Sequence, residues 1–371
     1  MSKSTTTTPS LHLKMTRTIH PVGQGAFYSE TFRDSETDRQ LLTAVYDCGA
    51  DNKNAKERNK QIKDFGKPVN LLFVSHFHKD HTNGILDLLR AQHELCKIVI
   101  PGVTHCRFII DLVSGYLISS PSVKFMLSCI PALKKPWTRA GTVSAEDNFP
   151  GVICKHPTSS KTYSVMALSP TIGCHVRISS PSIHWYYDAD YTEIDPSKEK
   201  QLIIDLSDII PSLKTILPDI EEYRDSDWYE KYFLPEITKE KLDEIGKVFT
   251  KVFGASHHNS YSMLVHSHPG PGITDKEMDC LYTGDIEIDN DLKNKIINCH
   301  PHYIQVPHHG SIKNHVKGIY FRRQIAFISV GTNNTFGHPD KTILMDLIHT
   351  CPYIHIITED KQTEFKRSFT I

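Results

Sequence analysis

A mixed α/β fold is what the apolar pattern of this chain predicts, and three stretches carry the prediction. Leu71-Leu72-Phe73-Val74 is a short branched and aromatic run of the kind that forms a buried strand; beyond a polar turn, Ile85, Leu86, Leu88 and Leu89 recur at helical spacing. Lys97 to Pro101, closed by Gly102, reads as a second strand and turn. Toward the C-terminus Cys280-Leu281-Tyr282, Tyr303 to Val306 and Ile325 to Val330 repeat the same pattern of a short apolar run ended by a polar turn.

The remaining elements follow in chain order. Thr18 to Val22 leads into Gly23-Gln24-Gly25 and then Ala26 to Ser29, a β-rich run broken by two glycines, which predicts a tight turn with close backbone approach. Leu41 to Val45 with Tyr46-Asp47-Cys48-Gly49 forms the partner strand of an opening hairpin. Lys53 to Lys63 lacks Gly and Pro and predicts a surface helix, as do the apolar segments Phe108–Leu117 and Val123–Leu133. Ser164 to Ser169 reads as a strand ended by Pro170. Residues 180–253 read as a mostly helical insertion, with helices over Lys198–Ile210, Lys214–Tyr223 and Thr238–Lys251. Trp185, Tyr186, Tyr187, Trp228, Tyr229, Tyr232 and Phe233 give that insertion an aromatic core, or else a lid or partner surface. Tyr353 to Ile371 alternates as a closing hairpin does.

Composition narrows the setting. A chain of 371 residues can bury a large core, as one domain with insertions or as two. The expected division is a flexible Ser/Thr-rich tail at 1–15 and one domain at 16–371 that carries the insertion. Charge is balanced, 42 Lys+Arg against 43 Asp+Glu for a net −1, which excludes a global basic signature for nucleic acid while leaving room for a local patch. The nine cysteines include no Cys-x-x-Cys, so they read as buried thiols in a reducing compartment and not as a disulfide framework or zinc ribbon. No stretch approaches 18 uninterrupted apolar residues, so the expectation is a cytoplasmic protein with no membrane contact.

The chemistry concentrates in His76-Phe77-His78-Lys79-Asp80-His81, on the turn between the Leu71 strand and the Ile85 helix. Imidazole and carboxylate ligands suit zinc, manganese or iron. Histidines at i and i+2 of an extended turn can converge on one cation, and Asp80 with His81, one step further round, would face a second. The competing reading is a His-rich surface loop in a chain holding 22 histidines, which the strand-before, helix-after context disfavours.

His-x-His-x-Asp-His after an apolar strand resembles the metallo-β-lactamase superfamily, a resemblance that implies a four-layer αβ/βα sandwich with metals at the sheet edges. Gly23-Gln24-Gly25, Asp47-Cys48-Gly49, Pro307-His308-His309-Gly310-Ser311 and Gly337-His338-Pro339 are similar to a narrower branch, the hydrolase domain of the late-competence DNA-uptake protein ComEC. Ala26 stands where that branch usually has Asp. The resemblance implies two divalent cations, zinc or manganese, with His76, His78, Asp80 and His81 as ligands and Asp285 bridging. His308 is the choice for a further ligand, while His309 and His338 compete for a second ligand position and for protonating the leaving group. His257 or His258 is the candidate third ligand of the first metal.

Metal-dependent hydrolysis is therefore the expected activity, with Asp80, His309 and His338 as catalytic candidates. The nuclease-like branch implies a phosphodiester in nucleic acid or a nucleotide as substrate, with Ser311, Asn333, Asn334, Thr335 and Lys341 as candidate phosphate contacts. Two other readings stay open: an ester, thioester or lactone hydrolase on the same metals, and a binding or sensing protein with impaired catalysis. The residues name no protein partner.

Overall fold

Strands from distant parts of the chain sort into two mixed sheets, and the ends of their central strands meet at one edge. The computed structural model describes residues 13–102, 120–145, 148–169, 174–178, 184–190, 196–215, 234–253, 262–271, 273 and 277–371. Sheet A runs in the order β16 (Phe365–Thr370), β1 (Leu13–Ile19), β2 (Phe27–Asp34), β3 (Gln40–Cys48), β4 (Leu71–Phe73), β5 (Lys97–Pro101), β8 (Thr162–Leu168) and β7 (Val152–Lys155). Sheet B runs β15 (Tyr353–Ile357), β14 (Ile325–Ser329), β13 (Tyr303–Gln305), β12 (Cys280–Tyr282), β11 (Leu264–Pro269), β10 (Trp185–Asp190), β9 (Cys174–Ile178) and β6 (Gly141–Ser144). In each sheet a block of four neighbours is parallel, β3-β4-β5-β8 in one and β12-β13-β14-β15 in the other. Parallel strands are covered on both faces, which is why they appear in the sequence as unbroken apolar runs.

Alternation along the strands divides the side chains into layers. Tyr28, Tyr46 and Phe73 of sheet A meet Tyr187, Tyr282 and Phe327 of sheet B in a core between the sheets. The opposite face of sheet A, with Val45, Leu72 and Ile98, is covered by α1 (Ala55–Phe65), α3 (Ile85–Arg90), α4 (Pro121–Ser128), α5 (Ile130–Leu133), α6 (Pro196–Leu206) and α7 (Lys239–Phe253). A short α2 (Lys79–Thr82) precedes α3. Leu281, Ile304 and Ile328 on the outer face of sheet B pack beneath α8 (Asn290–Cys299) and α9 (Lys341–Thr350). The result is a four-layer αβ/βα sandwich, and each large apolar side chain that it removes from water contributes about 1.5–3 kcal/mol.

One polar assembly crosses the central layer. Arg17 donates to Glu30 Oε1 at 2.7 Å, and Tyr282, Tyr187 and Ser267 of sheet B donate to the same carboxylate at 2.9, 2.9 and 2.6 Å. A buried ion pair is tolerated when its lone pairs are filled in this way, and this one pins the register of one sheet on the other.

Three expectations need correction. The terminal alternation is not a hairpin: β15 closes the edge of sheet B, while β16 crosses to sheet A and pairs antiparallel with β1. Trp185, Tyr186 and Tyr187 belong to no helical subdomain; they lie in β10, where Trp185 and Tyr187 face the inter-sheet core and Tyr186 the other way. Strand β1 begins at Leu13, inside the segment assigned to a tail. The expected helix Phe108–Leu117, Pro170, the stretch 216–223 and the aromatic residues Trp228, Tyr229, Tyr232 and Phe233 lie outside the described residues. Among the described residues, the cysteines are free thiols and no helix is long and apolar enough to cross a membrane.

Candidate metal centre

The carboxyl ends of the parallel strands of both sheets deliver the site. From sheet A, β3 carries Asp47 one residue before its end and β4 runs into Ser75 to His81; from sheet B, β12 leads to Asp285 and β13 to His308 and His309. Openings beyond the carboxyl ends of parallel strands are where ligands bind in open α/β sheets. The turn 75–81 is held from two sides. Phe77 is buried in the core under sheet A, which turns the flanking His76 and His78 together, with ring centroids 4.5 Å apart. Above them pass Gly25 and Gly49, where an added Cβ would lie 2.8 and 2.6 Å from the carbonyl oxygen of Asp80. Ala26 N–H donates to that oxygen at 3.1 Å. The close approach expected at Gly23-Gln24-Gly25 is thus an approach to the metal loop itself.

Hydrogen bonds to the other ring nitrogen fix which nitrogen each imidazole presents. His81 Nδ1–H donates to Asp47 Oδ2 at 2.7 Å and His309 Nδ1–H donates to the Ser329 carbonyl at 2.7 Å, so both present Nε2 as the lone-pair nitrogen. Ser75 Oγ donates its proton to Asp47 Oδ2 at 2.6 Å, so its 2.9 Å contact with His76 Nδ1 is a bond donated by the imidazole. The Asn314 amide nitrogen donates to the Asp285 and Ile286 carbonyls at 2.8 and 3.1 Å, which leaves its oxygen to accept from His308 Nδ1 at 2.7 Å. Four imidazoles therefore turn Nε2 toward one carboxylate.

That carboxylate is Asp285, 3 % exposed, and its two oxygens face different partners. Oδ1 lies 3.1 Å from His81 Nε2 and 3.9 Å from His309 Nε2; Oδ2 lies 3.7 Å from His76 Nε2 and 3.7 Å from His308 Nε2. His309 Nε2 is also 3.3 Å from Asp80 Oδ2. Two sets of converging ligand atoms result, Asp80–His81–Asp285–His309 and His76–His78–Asp285, joined through Asp285. The donor set fits a divalent cation on one further observation: His81 Nε2 and Asp285 Oδ1 are buried, face each other at 3.1 Å and are both left without a hydrogen-bond partner. Ligand atoms about 2.0–2.2 Å from zinc lie roughly 3–4 Å from one another, the separations found here.

The electrostatics are those of a site that collects charge. Burial works against a charged Asp285, yet the imidazoles of His308, His81 and His309 hold its carboxyl well below the usual range. Burial likewise disfavours charge on His81, but Asp285 and Asp47 outweigh it and raise the imidazole above its ordinary value. Burial, and then the neighbouring His308 and His309, lower His338 to about 4. His308 and His309 both have positive φ, 47° and 54°, conformations that cost about 1–2 kcal/mol each in residues bearing a Cβ. The strain aims two consecutive side chains back at Asp285.

The structure thus brings together His76, His78, Asp80, His81, Asp285 and His309, with His308 facing the Oδ2 side of Asp285. Of the two residues that compete for a ligand position, His309 is grouped with Asp80, His81 and Asp285, while the His338 ring stands behind His308 with 5.4 Å between centroids. Ser311 is buried and presents nothing to a substrate. The Asn334 side chain is spent on its own loop, donating to the Gly331 and His338 carbonyls and accepting from His338 N–H. Asn333 is exposed and its carbonyl accepts from Lys53. His257 and His258 lie outside the described residues. Sequence reasoning missed Asp47, Ser75 and Asn314, which brace the ligands; only Asp47 carried a signal, as the acid of the Asp-x-Gly turn.

No protein-family model matches the chain, and no curated protein does. Among solved structures it is similar to the metallo-β-lactamase MIM-1 from Novosphingobium pentaromativorans, with 11% identity over 78% of this chain and 76% of that one and a TM-score of 0.31. It is also similar to a HARLDQ-motif mutant of the metallo-β-lactamase from Cronobacter sakazakii, with 10% identity over 74% and 70% and a TM-score of 0.27. Overlaps this partial leave the fold defined by the sheets and layers described above.

Proposed function

We propose that this chain is a metal-dependent hydrolase of the metallo-β-lactamase superfamily, that it carries two divalent cations, zinc or manganese, and that it cleaves phosphodiesters in nucleic acid or nucleotides. The observation that carries the reading is the single buried carboxylate of Asp285 shared by two sets of imidazole and carboxylate ligands. Cations held by those sets would supply an electrophile for a phosphoryl oxygen and a water of lowered pKa, the chemistry that suits in-line displacement at phosphorus.

The residues around the centre support an anionic, base-bearing substrate. At the centre His76, His81 and Asp285 are buried, whereas Asp80 and His308, 21 % and 22 % exposed, mark its solvent side. Asp80, whose Oδ2 lies 3.3 Å from His309 Nε2, is the carboxylate on that open side that can accept a proton from the attacking water. His338 carries the wall outward from His308 to Phe336, whose ring stacks on it at 6.0 Å and is 64% exposed. An exposed aromatic face beside a reactive centre suits the stacking of a nucleobase. Lys79, 45 % exposed, lies on the metal loop and is paired with Asp51 at 3.7 Å, and Lys53 donates to the Asn333 carbonyl three residues before Phe336. The free thiols suit a cytoplasmic setting.

The test is hydrolysis of bis(p-nitrophenyl) phosphate by the metal-reconstituted chain and by its D80A/H81A variant. Turnover is expected in the first and its loss in the second, with circular dichroism unchanged. A panel of single-stranded DNA, duplex DNA, RNA, cyclic dinucleotides and thioesters then assigns the substrate. Cleavage of thioesters alone would replace the phosphodiesterase reading with that of a carbonyl hydrolase.

A further inference from the structure

A second group of metal-ligating side chains lies at the other end of sheet B, on its outer face. Asp188 of β10 stands in register between His175 of β9 and His266 of β11, and His268 follows two residues along β11. Alternation points all four away from the inter-sheet core, into which Tyr187, Ala189, Val265 and Val176 project. Strand β11 is antiparallel to β12, with Val265 opposite Tyr282 and Ser267 opposite Cys280. His266 and His268 therefore lie toward the start of β12, away from the end that leads to Asp285. The two clusters share no residue.

We propose that Asp188, His266 and His268 form a second, separate binding site for a zinc-class divalent cation. One ligand atom from each lies within 4.8 Å of the others. The His266 and His268 rings are 4.8 Å apart and 29° from parallel, so they present their nitrogens side by side. His268 Nδ1 donates to the Pro269 carbonyl at 3.0 Å, leaving Nε2, 3.0 Å from Asp188 Oδ2, as the ligand atom. A backbone carbonyl on the far nitrogen is the brace that metal-binding imidazoles commonly use. Asp279 Oδ2 lies 3.4 Å from His266 Nε2, and His175 Nδ1 lies 2.6 Å from Asp188 Oδ1. Two imidazoles and a carboxylate select zinc, cobalt or nickel over magnesium or calcium. Because ligand atoms about a bound zinc stand roughly 3–4 Å apart, the cluster must contract. Partly exposed side chains on neighbouring strands can do so by small rotations. A cation there would tie β10 to β11 without drawing on any ligand of the Asp285 centre.

The experiment counts cations. The full chain, stripped of metal, is dialysed against zinc or cobalt, and bound metal per chain is measured beside cobalt absorption. The H266Q/H268Q variant is expected to bind one equivalent fewer than wild type while retaining hydrolysis of bis(p-nitrophenyl) phosphate within two-fold. Replacing Asp188 by Asn, which preserves shape and removes the charge, is expected to weaken that one equivalent by about 10- to 100-fold. A H76A/D80A/H81A variant, disabled at the centre, should still hold one equivalent. If the D188N and H266Q/H268Q proteins bind as much metal, as tightly, as wild type, the cluster is an ion-pair network and the proposal is wrong. If the centre-disabled variant binds none, the proposal is equally wrong, whatever the wild-type enzyme hydrolyses.

Discussion

Both His/Asp clusters place a carboxylate among imidazoles, but they hold it differently. At the centre, Asp285 is 3 % exposed, and each of its close imidazoles with an assigned Nδ1 bond is held from behind: His81 by Asp47, His309 by the Ser329 carbonyl, His308 by Asn314 and His76 by Ser75. At the outer cluster, Asp188 is 34 % exposed and its two oxygens are already taken by His175 and His268. The first arrangement is rigid before any cation arrives; the second must exchange existing bonds for metal bonds. Catalytic sites need the former, because a ligand that moves about an ångström no longer aims its charge at the reacting atoms. A cation that only fastens strands can accept the latter.

The largest expected effect comes from Asp285→Ala. Loss of the carboxylate common to both ligand sets should lower phosphodiester hydrolysis by several kcal/mol of transition-state stabilisation, roughly 10³-fold or more, and deplete the centre of metal. Metal held through His266 and His268 should be unaffected, and its simultaneous loss would mean that the two clusters are not independent. Next, Asp47→Asn tests the brace. With His81 and Ser75 both anchored on Asp47, the centre's metal affinity should fall about 10- to 100-fold, measured by competition with a chelating indicator. An unchanged affinity would remove the claimed rigidity from the comparison.

Substitution of Phe336 by Ala separates the substrate side from both metal sites. Each stacked base contributes about 1–3 kcal/mol, so KM for single-stranded nucleic acid should rise about 5- to 150-fold with metal content unchanged. A smaller effect checks that acid sensitivity is not credited to metal loss alone. His20 is buried between Phe27 and Ser29, and burial, then the charges of Lys67 and Lys366, lowers it from 6.5 to about 3. The unfolded chain therefore binds this proton first, and stability falls as pH drops from about 6.5 toward 3, by at most about 1.4 kcal/mol per pH unit. Denaturant titrations of metal-free protein should show a shallower acid slope for His20→Gln than for wild type.

What the sequence disclosed follows physical range. The turn His76–His81 was legible because its ligands are neighbours and a strand and a helix bracket them. The parallel strands were legible because burial on both faces leaves unbroken apolar runs. Which of His308 and His309 joins Asp80 was not legible, since the answer depends on two positive φ angles and on acceptors supplied by Ser329 and Asn314. Alternation in Tyr353–Ile371 identified strands but could not say that they belong to different sheets, because a period of two is blind to the partner. Ser311 and Asn334 read as polar and available; packing buries one and the loop consumes the other. Asp188 and His268 are 80 residues apart, and nothing local marks them as companions.

The division of the centre between the two sheets also has a consequence in time. Asp80 and His309 are 229 residues apart in the chain. At a ribosomal rate of about 5–20 residues per second, His309 emerges roughly 10–45 s after Asp80. During that interval the nascent polypeptide exposes His76 to His81 without the aspartate that would join them to anything. Under the proposed function, stable loading with metal must wait for the second sheet, and the growing chain would stay hydrolytically silent until its two halves have closed on each other.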